Sequence, residues 1–214
     1  MKRHGRRSMR LRGYDYSRNG AYFITICTCQ RRRRFGEVVD GKMRLSRAGE
    51  IAHDEWRRSA AIRQEVILDA WVIMPDHMHG IVIIDHCGGD LRSPAMGRPP
   101  AIRWSPATAT GPRPKSIGAL VGGFKSATTR RIRMLYNTPG TRVWQRNYHD
   151  SIIRSAPSLN RIREYIRANP ANWAARRHSP RGSTGDRRPS PPAPVVHQRE
   201  QAGAVPRRVS GSEP

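Results

Sequence analysis

Proline placement divides the chain into a part that can fold and parts that cannot build a core. Of the 17 prolines among the 214 residues, thirteen fall in two stretches, 86–115 and 178–214. Proline lacks a backbone N–H and fixes φ, so neither stretch can form continuous helix or central strand. The second stretch also lacks Leu, Ile and Phe and cannot offset its ordering entropy by burial. We predict a basic arm over 1–20, a folded domain over 21–177 with a proline-rich loop at 86–115, and a disordered basic tail over 178–214.

The charge of the chain indicates what it binds. Lys and Arg total 40 against 16 Asp and Glu, which gives a formal net charge of +24. Such an imbalance favours a polyanionic partner, most commonly nucleic acid. No apolar run approaches the roughly 20 residues of a membrane span, so we expect no membrane partner. An odd count of 3 cysteines argues against a disulfide framework. We therefore expect a cytoplasmic, nucleoid-associated protein.

Between the proline stretches, apolar residues alternate between strand and helix periodicity. Serines at 46, 116 and 155 can cap three helices, and Asn169-Pro170 is predicted to end the last one. The predicted strands are 21–29, 66–74 (a buried strand), 77–84 and one within 143–153, with a small hairpin at 37–45. Without the hairpin and the last helix, the order is β-α-β-β-α-β, which is the ferredoxin-like split βαβ arrangement. The predicted fold class is α+β, an antiparallel sheet with helices on one face plus a C-terminal helix.

Two histidines on one predicted strand are candidate metal ligands. His77 and His79 are separated by Met78, and residues i and i+2 of a strand point to the same face. The two imidazoles would therefore project together, as ligands of a divalent metal do. The alternative is a pair of surface histidines without a metal.

The last predicted helix carries Tyr165 and Asn169 one turn apart. At this spacing a phenol and an amide lie side by side on one helical face. The alternative is structural: a tyrosine at the rim of the core and an asparagine that only ends the helix.

Cationic and aromatic side chains are interleaved in three places. Cations that bind phosphates and rings that stack on unpaired bases suit single-stranded nucleic acid. The alternative is a solvated, charged helix face. The candidate DNA-binding residues are Arg31, Arg32, Arg33, Lys125, Arg130, Trp144 and Arg146.

Four segments stand out in this order along the chain: RLRGYDYSRNGAYFITICTCQRR, WVIMPDHMHGIVII, GFKSATTR and VWQRNYHDSIIRS…RIREYIRANP. Together they resemble the REP-associated tyrosine transposases, which belong to the single-tyrosine HUH nuclease superfamily. The resemblance implies a metal-dependent endonuclease and strand transferase that acts on single-stranded hairpin DNA, at repetitive palindromic elements. It matches His77 and His79 to the family's metal pair, Tyr165 to its nucleophile and Asn169 to the helix residue that completes the metal site.

The chemistry implied by the resemblance is transesterification through a 5′-phosphotyrosine. A Mg²⁺ or Mn²⁺ ion would act as a Lewis acid on the scissile phosphate, and tyrosine would preserve the phosphoester bond for rejoining. Two other classes stay open at this point. One is a basic nucleic-acid-binding module without catalysis, and the other is a rolling-circle-type replication initiator or relaxase. We expect a monomer or a homodimer.

Overall fold

The structure is a computed structural model that describes residues 13–86 and 112–178. Residues 1–12, most of the predicted 86–115 loop and nearly all of the predicted tail lie outside the described residues, so these predictions stay predictions. Within these ranges six strands and three helices form, together with a short 3₁₀ turn at Cys29–Arg31. In chain order they are β1 (Gly20–Cys27), β2 (Gly36–Val39), β3 (Lys42–Leu45), α1 (Arg47–Ala61), β4 (Val66–Met74), β5 (His77–Ile84), α2 (Ile117–Tyr136), β6 (His149–Ile153) and α3 (Ala156–His178).

The main sheet has four antiparallel strands in the order β4-β5-β1-β6. With β2 and β3 paired separately as a hairpin, this strand order is that of a ferredoxin-like fold. The predicted α+β class is therefore confirmed. The register aligns Cys27 of β1 with His77 of β5, and Thr25 with His79. The two histidines thus lie in the sheet interior, at the end where β1 leaves it.

The alternation of the central strands sends side chains to two different layers. Met78, Val82 and Ile84 of β5 belong to the main core, which α1 and α2 cover with residues such as Trp56 and Phe124. On the opposite face, a second and smaller cluster joins strands β1 and β5 to α3; its buried members are Phe23, Ile81, Ile162 and Ile166. Since His77 and His79 share the parity of Ile81, they face α3.

Serine caps set the starts of the two core helices as the sequence predicts. The side chain of Ser46 accepts a hydrogen bond from the backbone N–H of Gly49, and Ser116 accepts one from Ala119. Each cap satisfies one of the free donors at a helix start.

Strand β4 differs from the prediction of a buried strand. It is an edge strand of the sheet, and only three of its residues, at positions 66, 73 and 74, are buried. Ile67 is 44% exposed. An apolar run does not reveal its position in the strand order, because that position is decided by pairing with distant segments.

Helix α3 also differs from the prediction, because it does not end at Asn169. It continues through Pro170 to His178. Proline removes one helical hydrogen bond and disfavours the α conformation of its predecessor, which is a tendency that packing can overcome. Here the additional two turns place Trp173 against the ring of His77, with ring centroids 5.8 Å apart, and Ala171 close to Gly41 of the hairpin.

The described part of the predicted N-terminal arm is packed on the domain. Tyr14 and Tyr16 contact the main core, and the hydroxyl of Tyr22 donates a hydrogen bond to the carbonyl of Arg18. Folded structure therefore extends to the N-terminal side of residue 21.

Candidate active site

The two histidines converge on one point. The Nε2 atoms of His77 and His79 lie 3.1 Å apart, and both residues are buried, 7% and 5% exposed. This is what the alternation of a strand predicts for positions i and i+2, and it excludes the alternative of two surface histidines.

Hydrogen bonds to the Nδ1 atoms orient both rings. Asp76 Oδ1 lies 2.5 Å from Nδ1 of His77, and because a carboxylate only accepts, Nδ1 of His77 carries the proton. Thr25 Oγ1 lies 2.8 Å from Nδ1 of His79. Partners on the far nitrogen fix the tautomer and orientation of metal-binding histidines. With Nδ1 bonded to Asp76, Nε2 of His77 is directed at Nε2 of His79.

Burial keeps His79 neutral. The pKa of His79 is held well below its ordinary value, first by burial and then by the nearby charges of His77 and Arg31. A neutral imidazole is the form that binds a metal ion. His79 is therefore available as a nitrogen ligand at neutral pH without first losing a proton.

These donors fit a divalent metal. Two ligand atoms bound at about 2.1 Å and at right angles stand about 3.0 Å apart, and the two Nε2 atoms are separated by 3.1 Å. Within the described ranges, no cluster of three or more His, Cys, Asp and Glu side chains could hold a metal. A third protein ligand within these ranges would have to be of another type, and the side-chain amide of Asn169 is the candidate that the sequence predicts.

Helix α3 brings Tyr165 to the same place. The phenolic Oη of Tyr165 lies 3.3 Å from Nε2 of His79. Phe23 packs against both rings, with centroids 5.4 Å from His79 and 6.1 Å from Tyr165. The tyrosine is half-buried, so its ring is held by packing while the hydroxyl lies at the histidine pair.

On α3, Asn169 lies between two residues that contact the histidine pair. Tyr165 touches His79, and Trp173 touches His77. These two residues are one turn before and one turn after Asn169, on the stripe of i and i+4 positions. Asn169 is only 9% exposed, and it shares with these two residues the stripe of α3 that faces the histidine pair.

Sequence reasoning missed the residues that support the pair. Asp76 reads as part of a Pro-Asp turn, Thr25 as an ordinary strand residue, and Trp173 falls beyond the predicted helix end. For Asp76 and Thr25 a signal exists in the sequence. Asp76 directly precedes His77, and Thr25 occupies a position of β1 whose parity faces the histidines once the register is known.

Arg31, one of the predicted DNA-binding residues, is paired with an acidic residue of the site. Two consecutive left-handed residues, Gln30 and Arg31 with φ of 55° and 54°, turn the chain at the end of β1. This conformation costs energy for a non-glycine residue and recurs at functional sites. The turn places Arg31 Nη1 3.5 Å from Asp76 Oδ1, with 19% of its side chain exposed. Its charge therefore acts on the residue that orients His77.

Trp144 was expected to stack on bases, and the structure contradicts this. It is 6% exposed, with its ring packed between Phe35 and Phe124 at centroid distances of 4.9 and 5.3 Å. A ring inside the core has no free face for a base. Single-sequence reasoning cannot distinguish a core tryptophan from a binding one, since both are surrounded by polar residues along the chain.

The remaining predicted DNA-binding residues lie at the surface or in a groove. Arg32 and Arg33 are exposed beside the site, and the guanidinium of Arg33 lies 5.8 Å from the ring centroid of Trp173. The others, Lys125, Arg130 and Arg146, line a groove between α2 and the segment that follows it.

Fold and site together define a class: a ferredoxin-like α+β protein with a buried histidine pair on the central strand and a tyrosine presented from a C-terminal helix. An uncharacterized protein of Haemophilus influenzae is 37% identical over 171 residues, which cover 79% of this chain and 91% of that protein. The chain belongs to the same family as that protein. No protein-family model matches the chain.

A solved structure is similar as well. It is that of a REP-associated tyrosine transposase bound to a REP hairpin, with 17% identity, 77% of this chain and 74% of that chain covered, and a TM-score of 0.49. In the described part of the chain, no helix is long and apolar enough to cross a membrane.

Proposed function

We propose that this chain is a metal-dependent tyrosine endonuclease and strand transferase that cleaves and rejoins single-stranded hairpin DNA, as the resemblance to REP-associated tyrosine transposases implies. The observation that carries the proposal is the convergence of three reactive atoms. Nε2 of His77 and Nε2 of His79 are 3.1 Å apart, and Oη of Tyr165 is 3.3 Å from the second of them.

In this proposal His77, His79 and Asn169 hold a Mg²⁺ or Mn²⁺ ion. The ion would supply charge neutralisation and polarisation at the scissile phosphate. Asp76 and Thr25 keep the two rings oriented through their Nδ1 atoms. Since the Nε2 of His79 has a single lone pair, it cannot bind a metal and accept a proton from Tyr165 at the same time. His79 is therefore a ligand here, and another base takes up the phenolic proton.

Tyr165 is the nucleophile in this proposal. Its Oη forms a bond to phosphorus while the bond from phosphorus to the 3′-oxygen breaks, which leaves a 5′-phosphotyrosine and a free 3′-hydroxyl. The proton lost from Oη balances the one gained by the 3′-oxygen. The reverse attack by a 3′-hydroxyl rejoins the strand, because the phosphoester bond is kept rather than hydrolysed.

The position of Tyr165 on a helix suits this role. The second cluster that docks α3 has four buried members, far fewer than the main core. If α3 shifts as a unit on DNA binding, Tyr165 and Asn169 move with it. One helix movement would then assemble or open nucleophile and ligand together.

The test is adduct formation on labelled hairpin DNA in the presence of Mn²⁺. Wild type is expected to give a denaturant-resistant DNA–protein adduct that EDTA abolishes. Tyr165→Phe is expected to give none while binding the hairpin within a few-fold, since it removes only a hydroxyl.

The matched control is Tyr148→Phe, because Tyr148 packs against the main core rather than at the histidines. It is expected to form the adduct at the wild-type level. If no protein forms an adduct and hairpin binding is indifferent to EDTA, the chain is a binding module without catalysis and the proposal is wrong.

A further inference from the structure

A basic groove lies apart from the histidine pair. It has a volume of about 810 Å³ and runs between residues 122–134 of α2 and residues 137–146. Its charged lining residues are Lys125, Arg130, Arg133, Arg142 and Arg146. Among the described residues that line it there is no Asp or Glu, so the positive charge in the groove is not compensated from its own walls.

Two of these cations, Lys125 and Arg133, hold the walls of the groove together through hydrogen bonds to backbone carbonyls. Nζ of Lys125 donates to the carbonyls of Gln145 and Arg146 at 2.5 and 3.0 Å, and burial lowers the pKa of Lys125. Nε of Arg133 donates to the carbonyl of Thr141 at 2.9 Å. These bonds fix the outer wall to α2, so the groove has a defined shape.

The other three cations are available to a ligand. Arg130, Arg142 and Arg146 are exposed. A guanidinium presents a planar fork of donors that matches a phosphate oxygen pair. Three such groups around one groove match a chain of phosphates better than a single anion.

The described lining of the groove offers no open ring on which a base could stack. Among the described residues that line it, the one aromatic ring is that of Trp144, which is 6% exposed and packed in the core. Stacking of bases needs an open ring face. Binding here is therefore expected to depend on the sugar–phosphate backbone and not on sequence.

The groove is joined to the catalytic end of the sheet. The backbone N–H of Gln145 donates to the carbonyl of Cys27, and that of Cys29 donates to the carbonyl of Val143, each at 2.8 Å. Cys27 is the register partner of His77. The inner wall of the groove is thus hydrogen-bonded to the strand end beside the histidine pair, where Arg32 and Arg33 are exposed.

From these observations we propose that the groove binds the phosphate backbone of the DNA substrate next to the segment that enters the site. The proposal rests on the proposed function for the identity of the DNA. It assigns phosphate contacts to Arg130, Arg142 and Arg146, and it makes the groove a sequence-independent anchor while the histidine pair and Tyr165 do the chemistry.

The experiment compares two triple variants in the Tyr165→Phe background, without metal, so that no cleavage occurs. The groove variant is Arg130→Gln, Arg142→Gln, Arg146→Gln. The control variant is Arg44→Gln, Arg57→Gln, Arg58→Gln, which removes the same three charges from exposed positions outside the groove. The probes are a labelled hairpin with a single-stranded extension and the same DNA with its sequence scrambled.

The measurement is the salt dependence of Kd for each protein. Each phosphate contact to a single strand contributes about 0.7 to the slope of log K against log salt. The groove variant is expected to lose about 2 from the slope, equally on both probes and with unchanged melting temperature, while the control variant keeps the wild-type slope.

Equal slope losses in the two variants would overturn the proposal, because they would show a general effect of net charge. A loss confined to the unscrambled hairpin would also overturn it, because it would mean base readout. Failure of the proposed cleavage chemistry leaves this test intact, since binding is measured without metal and without the nucleophile.

Discussion

An ion pair fastens the helix that carries Tyr165 to the edge of the sheet. The guanidinium of Arg163 binds both carboxylate oxygens of Asp69, with Nε at 3.0 Å from each and Nη2 at 2.5 Å from Oδ2. Asp69 lies in a β-bulge of β4, where the register with β5 shifts. Bulges re-aim side chains, and this one faces α3. We predict that Asp69→Asn loosens α3 without loosening the rest of the domain.

The expected size of the effect follows from exposure and geometry. The side chains of Arg163 and Asp69 are 32% and 14% exposed, so solvent screens the pair in part. A surface pair contributes up to about 1 kcal/mol, whereas a hydrogen bond to a charged group contributes about 1.5–3 kcal/mol. We therefore expect this bidentate, partly buried pair to stabilise the docked state of α3 by about 1–2 kcal/mol. Local opening of α3 would then become about 5- to 30-fold more frequent.

Hydrogen exchange measured by mass spectrometry tests this prediction. Amides of α3 are expected to exchange about 5- to 30-fold faster in Asp69→Asn, because exchange tracks the local opening equilibrium. Amides of α2 are expected to keep the wild-type rate. Arg167→Gln is the matched control, since Arg167 is an exposed arginine of the same helix. Equal acceleration in α2 and α3, or none in α3, would refute the idea that this pair holds the helix locally.

Three further predictions concern the metal and the tail. His77→Ala or His79→Ala is expected to eliminate adduct formation in Mg²⁺, with partial rescue by excess Mn²⁺. Asn169→Ala is expected to reduce adduct formation less, because an amide oxygen is a weaker ligand than an imidazole. Full activity in EDTA would contradict a metal mechanism. Asp76→Asn is expected to raise the Mn²⁺ concentration for half-maximal cleavage about 10- to 100-fold with little change in the maximal rate, and an unchanged metal requirement would show that Asp76 does not support the ligand. Removal of 178–214 is expected to flatten the salt dependence of DNA binding by about 2 at unchanged melting temperature, whereas a large drop in melting temperature would mean that the tail is structural.

The sequence predicts the fold well where local patterns decide it. Ser46 and Ser116 cap helices where expected, because capping needs only neighbouring residues. The His77 and His79 pair converges because a strand alternates by geometry alone. Their partner on α3, Tyr165, was assigned by resemblance to a family, and helix periodicity by itself left a structural role open.

Prediction from the sequence is wrong where contacts between distant segments decide the position of a strand or a side chain. Strand β4 is an edge strand because of the pairing order, which its own apolar residues do not encode. Trp144 is a core residue because Phe35 and Phe124 meet it in the folded state. Arg31 turns inward because Gln30 and Arg31 adopt a left-handed turn, a choice that composition does not show. Each of these depends on tertiary contacts that override local preference.

The most direct test of the central claim is to locate the bond between protein and DNA. After reaction with hairpin DNA and Mn²⁺, nuclease trimming leaves a nucleotide on the residue that attacked phosphorus. Trypsin cleaves after Arg163 and Arg167, so Tyr165 is released in the peptide 164–167, while Tyr148 falls in the peptide 147–154. The account predicts that peptide 164–167 gains the mass of a nucleotide 5′-phosphate. A nucleotide on peptide 147–154, or on no tyrosine peptide in a reaction that still cleaves DNA, would contradict it.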